Sequence, residues 1–180
     1  MTETDSGGEI GQMDSGDREL DAARGSRWFL RHCVATLAYR GAKAVRGAPG
    51  GFETFRPSPA TRSSGEILAH IGDLLDWALS LAEGRQRWQD SPSLEWEAGT
   101  RRFFAAMAAL DAYLASGQPL HVPAEKIFQG PIADALTHVG QIATRRALAG
   151  APVRGENYYV ADIAAGRVGP EQAPPRREFD

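Results

Sequence analysis

Residues Gly130–Gly150 have the sequence GPIADALTHVGQIATRRALAG, which predicts an amphipathic helix. Pro131 lies just inside the predicted start and Gly150 just past the predicted end, as is typical of helix termini. Apolar residues recur between them at helical spacing: Ile132, Leu136, Val139, Ala143 and Ala147. A second stripe of the same helix is polar: Asp134, His138, Gln141 and Arg145. The segment therefore predicts a helix that buries one face and presents a candidate site on another.

Three further segments have helical periodicity. The first runs from about Arg24 to Val45, and its apolar residues include Phe29, Leu30, Cys33, Val34 and Leu37. The second begins at Ser63, which has the spacing of a capping box with Glu66 three residues later. Its apolar face consists of Ile67, Leu68, Ile71, Leu74, Leu75, Ala78 and Ala82. The third starts after Pro92, ends at Ser116-Gly117, and has Trp96, Phe103, Met107, Leu110 and Leu114 as its apolar residues.

Four amphipathic helices without a convincing alternating strand predict an all-α four-helix bundle. We assign the bundle domain to residues 24–165. Residues 1–23 are acidic and rich in Gly, Ser and Asp, which predicts a flexible arm. Residues 166–180 are predicted to form an irregular, proline-rich tail. With 180 residues and 42% hydrophobic content, the chain is long enough to bury one sizeable core.

Composition argues against several classes of function. The net charge is −3 and the basic residues are scattered among acids, so nucleic-acid binding is not expected. No stretch approaches the roughly 20 apolar residues that span a bilayer. The N-terminal segment lacks the basic and apolar regions of a secretory signal, so a soluble cytoplasmic protein is expected. The single cysteine, Cys33, lies on an apolar helical face and is predicted to be a small buried hydrophobic residue rather than a catalytic thiol.

Two histidines lie on the flanks of predicted apolar faces, His70 on the second helix and His138 on the fourth. If these helices are neighbours, both imidazoles can converge at one point, and Asp134 would supply a third ligand one turn before His138. Two imidazoles and a carboxylate suit a divalent transition metal that keeps an open coordination position. The alternative from the residues alone is a hydrogen-bonded His/Asp cluster without metal.

The segments SSGEILAHIGDLLDWAL around His70 and THVGQIATRRALAG around His138 resemble the two signature helices of the DinB-like superfamily of bacterial proteins. The shared motif is a histidine early in helix two and H-x-G-Q with a following arginine in helix four, and the resemblance covers about residues 24–162. It implies an up-down-down-up bundle, a metal held by three histidines and, in many members, a homodimer. Relatives with known chemistry are metal-dependent enzymes that use low-molecular-weight thiols, such as bacillithiol transferases and mycothiol-dependent maleylpyruvate isomerases.

Matched to the family pattern, His70 corresponds to the helix-two ligand and His138 to the last histidine of H-x-x-x-H, while Asp134 replaces the first histidine of that pair. A carboxylate is still a competent ligand, so the resemblance implies a site for zinc, nickel, manganese or iron made by His70, Asp134 and His138. Alternatively, the replacement marks a branch that has kept the scaffold and lost the metal; retention is favoured, because Asp134 keeps the charge and geometry that suit a divalent cation.

The chemistry implied is binding and activation of a thiol by the metal. Gln141 and Arg145 would orient the ligand or bind a carboxylate of the thiol. Arg154, Glu156, Asn157 and Tyr158 could fold over the mouth of the bundle; the alternative is a loop that packs its aromatic side chains on the surface. Two functions remain open at this point. One is a thiol-dependent transferase or isomerase with a small-molecule substrate. The other is a non-catalytic dimeric bundle or small-ligand scaffold with a metal-free polar cluster.

Overall fold

The computed structural model of the chain describes residues 15–179, and the side chains of residues 23–179. Its helices are α1 (Ser15–Val45), α2 (Ser64–Ala82), α3 (Trp96–Ala115), α4 (Ala124–Ile127) and α5 (Ala133–Leu148). A π-helical turn, Phe128–Ile132, joins α4 to α5, and short 3-10 turns span Phe52–Thr54 and Tyr158–Val160. No strand occurs between residues 15 and 179, where a single antiparallel bridge pairs Glu156 with Glu178. The predicted all-α fold with four long helices is therefore confirmed.

The first helix starts earlier than predicted. α1 begins at Ser15 rather than near Arg24, so it includes residues 15–23 of the predicted arm. Residues 18–23 have the sequence RELDAA, and Arg, Glu, Leu and Ala are strong helix formers. Local propensity therefore favours helix across a segment that its acidic composition had suggested to be flexible. Residues 1–14 of that arm lie outside the described residues.

The capping box of α2 forms as predicted. Glu66 N–H donates to the Ser63 hydroxyl (3.1 Å), and Ser63 N–H donates to the Glu66 carboxylate (2.6 Å). These bonds satisfy backbone donors that a helix start leaves unpaired. All seven predicted apolar residues of α2 are buried. The predicted apolar residues of α3 are buried as well, and Cys33 lies in the same core. The desolvated position of Cys33 raises the pKa of its thiol, which keeps the sulfur protonated.

Hydrogen bonds at both ends of the α1–α3 pair show that these helices are antiparallel. The Trp96 indole, at the start of α3, donates to the Val45 carbonyl at the end of α1 (3.1 Å). Arg27, in the N-terminal half of α1, donates to the Leu114 carbonyl near the end of α3 (3.3 Å).

By contrast, α2 and α3 are parallel. Near their starts, Arg102 Nη1 donates to the Ala69 carbonyl (2.9 Å). Near their ends, the Tyr113 hydroxyl donates to the Ala82 carbonyl (3.2 Å). Both contacts join positions at similar distances from the two helix starts.

The end of α5 lies beside the end of α1 and the start of α2. Arg146 donates to the carbonyl of Ala44, near the end of α1 (3.3 Å), and Arg145 donates to the carbonyl of Arg62, just before α2 (2.5 Å). α5 is therefore parallel to α1 and antiparallel to α2. In chain order the four long helices run up, down, down and up.

Because α2 and α3 are parallel, the connection between them must return along the length of the bundle. Residues 83–95 do so along α2. Arg87 N–H donates to the Ser80 hydroxyl (3.0 Å), and further along the connection Ser91 N–H donates to the Asp73 carboxylate (2.9 Å). We call residues 83–95 the crossover.

One arginine ties the crossover region to α3. Arg102 donates to the carboxylates of Asp73 (2.6 Å) and Asp76 (2.8 Å), two acids on α2. The guanidinium passes so close to Gly72 that a β-carbon there would clash with it. Gly72 therefore allows Arg102 to reach the buried Asp73 carboxylate, which in turn holds the crossover backbone.

The described residues of the C-terminal tail, 166–179, contain neither helix nor strand, and they dock on the bundle. Val168 is buried in the core. Lys43 of α1 binds both the Glu156 carboxylate (2.8 Å) and the Glu178 carboxylate (2.6 Å). The Tyr39 hydroxyl donates to Glu156 (2.7 Å), and burial together with that carboxylate raises the pKa of the tyrosine. The segment beyond residue 165 is thus part of the packed unit.

Two features of the helices differ from the simple apolar pattern. Phe29 is exposed, and it lies near the Phe128 ring at the edge of the bundle. Pro131 lies inside a helical run that already begins at Ala124, rather than at its start. Since proline has no N–H and its ring crowds the preceding turn, a widened π-helical turn accommodates it. Among the described helices, none has both the length and the apolar character needed to cross a bilayer.

Candidate metal centre

Three side chains from α2 and α5 converge between the two helices. His70 Nε2 lies 3.7 Å from Asp134 Oδ2, and His138 Nε2 lies 3.4 Å from Asp134 Oδ1. The two imidazole rings are nearly perpendicular, with centroids 4.8 Å apart. One ligand atom from each residue lies within 4.8 Å of the others. We call these residues the His/Asp trio.

The helices explain why these three residues meet. Asp134 lies in the first turn of α5 and His138 one turn later, so both are on one face of that helix. His70 lies in the second turn of α2, which packs antiparallel to α5. The side chains of His70 and His138 are 17% and 14% exposed, while that of Asp134 is 48% exposed. The trio is thus shielded on its imidazole side and open to solvent on its carboxylate side.

Gln141 fixes the orientation of one imidazole. Its Oε1 lies 2.9 Å from Nδ1 of His138. An amide oxygen is only an acceptor. The His138 Nδ1 therefore carries the proton and donates a hydrogen bond to Gln141 Oε1. In the neutral ring the lone pair of Nε2 then faces the Asp134 carboxylate. This arrangement is typical of metal-ligating histidines, whose other nitrogen is held by a hydrogen bond.

His70 is biased towards its neutral form. Desolvation is the largest cause of its lowered pKa, and electrostatic interactions with Arg62 and then with His138 lower the pKa further. The carboxylates of Asp134 and Asp73 act in the opposite direction but do not outweigh these effects. Neutral imidazole is the form that binds a metal ion.

One tryptophan packs against His70, and a second tryptophan packs against the first. The Trp88 ring packs edge-on against the His70 ring, with centroids 5.7 Å apart, and the same distance separates Trp88 from Trp77. Trp88 belongs to the crossover, so the returning connection forms one wall of the site. Neither tryptophan was among the predicted site residues. The sequence shows only that Trp88 lies in a mostly polar connection between α2 and α3. That pattern does not predict which helix the connection packs against.

A polar cavity of about 410 Å³ opens beside His70. Charged residues of its wall are Arg56, Arg62, Glu66, Asp73 and Asp90. Thr61 and Ser91 also line it. The wall combines the end of the α1–α2 connection, the first turns of α2 and the crossover. These elements are far apart in sequence, so sequence periodicity alone does not identify the cavity.

Gln141 and Arg145, the two residues predicted to orient the ligand, differ in their contact with the trio. Gln141 contacts His138 of the trio. Arg145 does not: it is buried, it donates to the Arg62 carbonyl (2.5 Å), and desolvation lowers the pKa of its guanidinium. It lies one turn beyond Gln141, and the helix twist directs it towards the start of α2.

Arg154, Asn157 and Tyr158 do not lie beside the trio, and the alternative of a loop that packs its aromatic side chains on the surface describes their positions better. Tyr158 packs edge-on against Tyr39 of α1, and the Arg40 guanidinium lies 4.6 Å from its ring centroid. Asn157 accepts from Tyr159 N–H (3.1 Å) and caps a 3-10 turn. Arg154 forms an ion pair with Glu178 of the tail (3.3 Å). The chain turns after α5 towards α1, because Lys43 and the tail provide partners there.

The trio has donors that fit a divalent cation: two imidazole nitrogens, a carboxylate, and a hydrogen-bonded Gln141 behind one imidazole. Zinc, nickel, manganese and iron all accept nitrogen and oxygen ligands of this kind. A comparison with known proteins provides no precedent, since no protein-family model, curated protein or solved structure matches the chain significantly.

Proposed function

We propose that the chain binds a divalent transition metal through His70, Asp134 and His138 and uses an open coordination position for chemistry on a small molecule. The observation that carries the proposal is the convergence of acceptor atoms from three residues within 4.8 Å. Gln141 holds the proton of His138 on Nδ1, so the Nε2 lone pair and the Asp134 carboxylate face each other at 3.4 Å. Two acceptors at that distance repel unless a cation or a proton lies between them.

A metal ion satisfies this arrangement better than a proton. Desolvation and the charge of Arg62 disfavour the protonated form of His70. Two imidazolium rings with centroids 4.8 Å apart would also repel each other. A divalent cation neutralises the carboxylate and uses both nitrogen lone pairs at once. The half-exposed Asp134 leaves the carboxylate side open to an incoming ligand.

The class of chemistry comes from the DinB-like resemblance. The up-down-down-up order of the helices and the position of His70 and His138 on facing helices support it. We therefore propose a metal-dependent thiol transferase or isomerase that works as a homodimer. A bound divalent cation would supply a Lewis acid that lowers the pKa of a coordinated thiol or water. Within the chain, Gln141 would orient His138, and Trp88 would exclude water from the side of His70.

Metal content tests the proposal directly. Protein purified without chelators and incubated with zinc, nickel or manganese should bind about one ion per chain. His70→Ala and Asp134→Ala should each lose it. His121→Ala is the matched control, because His121 lies beyond α3 and outside the trio, and it should retain the ion. Absence of any bound metal in the wild type would refute the metal centre.

A second candidate is a ligand-binding bundle in which the trio is a metal-free polar cluster. The contacts of 3.7 and 3.4 Å between Asp134 and the two imidazoles favour it, since they are within ion-pair range when a histidine is protonated. In that case His70→Ala would lower the free energy of unfolding without changing metal content. The stability of the wild type would also be insensitive to added metal, whereas a bound ligand stabilises the folded state.

A further inference from the structure

We propose that a cavity between α1, the end of α5 and the C-terminal tail binds a small dianion with paired oxygens, such as a phosphate group or a short dicarboxylate. The cavity has a volume of about 250 Å³, and no residue of the His/Asp trio lines it. The inference is therefore independent of the proposed metal function. The charged residues of the wall are Lys43, Arg46, Arg146, Arg154, Glu156 and Glu178. Four cations and two carboxylates give this wall a net positive charge.

Arg146 is a buried cation of this wall, and its guanidinium is held in place. The residue is only 7% exposed. Its Nη1 donates to the carbonyl of Ala44 (3.3 Å) and to that of Arg46, at the end of α1. The last carbonyls of a helix have no partner within the helix, so this nitrogen caps α1. The two bonds orient the side chain without using a carboxylate.

A second edge of the same guanidinium, formed by Nε and Nη2, has no acceptor. Nε is buried without a hydrogen-bond partner, and Nη2 makes no hydrogen bond with any residue in the range 15–179. Capping of α1 accounts for Nη1 but not for these two nitrogens. Because a buried donor without an acceptor is destabilising, an acceptor bound at this edge would be favourable.

Arg31 shows what this edge binds when an acceptor is within reach. Its Nε and Nη2 donate to the two carboxylate oxygens of Asp111 (2.9 and 3.1 Å). The bond to Asp111 raises the pKa of Arg31, whereas desolvation lowers the pKa of Arg146. Two parallel N–H donors match the paired oxygens of a carboxylate or a phosphate. Arg146 offers the same donors, but no carboxylate of residues 15–179 binds them.

The two acids of the wall are already paired with the other cations. Lys43 binds the carboxylates of Glu156 (2.8 Å) and Glu178 (2.6 Å). Arg154 also lies 3.3 Å from the Glu178 carboxylate. Lys43 and Arg154 therefore balance the charges of these two acids, which reduces their repulsion of an incoming anion.

The fourth cation of the wall, Arg46, also lacks a counter-charge. Its Nη2 donates to the carbonyl of Pro170 in the tail (3.0 Å), and within residues 15–179 it forms no ion pair. Arg46 and Arg146 thus leave two positive charges uncompensated in one cavity. Since positive charges in a protein are stabilised by a nearby anion, this arrangement favours a ligand with two negative charges over a neutral one.

Titration of metal-free protein with inorganic phosphate and, separately, with succinate tests the site. Chelator treatment excludes anions that bind through a metal, and calorimetry at constant ionic strength, balanced with chloride, gives the affinity. We expect the wild type to bind at least one of the two anions. Arg146→Lys should bind it about tenfold more weakly or less, because lysine keeps the charge but lacks the two parallel donors. Arg46→Gln should also weaken binding, and its exposed side chain makes the fold insensitive to the change.

Arg145→Lys is the matched control. Arg145 is likewise buried and donates to a backbone carbonyl, that of Arg62, but it does not line the cavity. It should retain the affinity of the wild type. Binding of only phosphate or only succinate would support the site and identify the preferred group. Failure of the wild type to bind either anion, or an affinity unchanged in Arg146→Lys or in Arg46→Gln, would overturn the anion site.

Discussion

The Trp88 indole packs edge-on against the His70 imidazole, with ring centroids 5.7 Å apart, although the two residues lie on different elements. His70 belongs to α2, and Trp88 belongs to the crossover that returns along that helix. The contact makes the long connection part of the candidate metal centre. It also contributes to the burial that lowers the pKa of His70.

Replacing Trp88 with alanine should raise the pKa of His70 towards its ordinary value of 6.5 in metal-free protein. Desolvation is the largest cause of the lowered pKa, and removal of the indole admits water, which stabilises the imidazolium. Titration of the histidine ring protons by NMR measures this change. Trp28→Ala is the control, since Trp28 stacks on His32 (centroids 5.6 Å apart) and should leave His70 unchanged. An unaltered His70 titration in Trp88→Ala would show that the indole does not shield it.

Gln141→Ala should weaken metal binding by about tenfold or more, without changing the number of ions bound. Loss of a hydrogen bond behind a metal-ligating histidine typically costs about 10- to 100-fold in affinity. Competition with a chromophoric chelator gives the dissociation constant. Gln118→Ala, a change at an exposed residue just after α3, should have no effect. Equal affinity in Gln141→Ala and the wild type would mean that Gln141 does not position His138 for a metal.

Arg102→Ala should lower the free energy of unfolding by about 3 kcal/mol or more. The side chain of Asp73 is only 3% exposed, and removal of its partner leaves a buried carboxylate without a counter-charge. Asp76 binds the same guanidinium but is 42% exposed, so Asp76→Asn should cost less than about 1 kcal/mol. Urea denaturation of both variants gives the comparison. Similar losses in the two variants would contradict a special role for the buried pair.

Protonation of Glu66 in the capping box should lower the free energy of unfolding of the bundle in acid. Ser63 N–H, and then Arg56, hold the pKa of Glu66 below its ordinary value of 4.5. A carboxylate whose pKa is lowered by folding contributes stability above its unfolded pKa, and the contribution is lost as the pH falls through the folded pKa. Glu66→Gln should therefore reduce stability at neutral pH and flatten the decline below about pH 4.5. Thermal unfolding across that range, with the exposed Glu171→Gln as control, measures it. A decline as steep in Glu66→Gln as in the wild type would exclude this cause.

Local signals predicted α2 and α3 well because those signals act within a few residues. The capping box at Ser63 and the apolar spacing that follows depend only on neighbours along the helix. The convergence of His70, Asp134 and His138 could also be predicted, since helical spacing places Asp134 and His138 together. Facing helices α2 and α5 then bring His70 to them.

Long-range contacts determine the positions of Arg145, Tyr158 and Trp88, which local sequence patterns do not predict. Arg145 has the correct spacing to follow Gln141, but tertiary packing directs it to the Arg62 carbonyl. Tyr158 follows α5 closely in sequence, yet it packs on Tyr39 of α1. Trp88 reaches His70 only because the parallel arrangement of α2 and α3 forces the crossover to return. Periodicity within one helix contains no information on these choices.

The parallel arrangement of α2 and α3 also has a consequence for how the molecule folds. Two antiparallel helices joined by a tight turn can pack through contacts that are local in sequence. Here the α2–α3 contacts can form only when the crossover also lies along the bundle. Such non-local closure slows folding relative to a simple up-down bundle of equal size. Trp88 can meet His70 only once that traverse is complete. The candidate metal centre would therefore acquire the wall formed by Trp88 late in folding, after the helices that carry His70, Asp134 and His138 have formed.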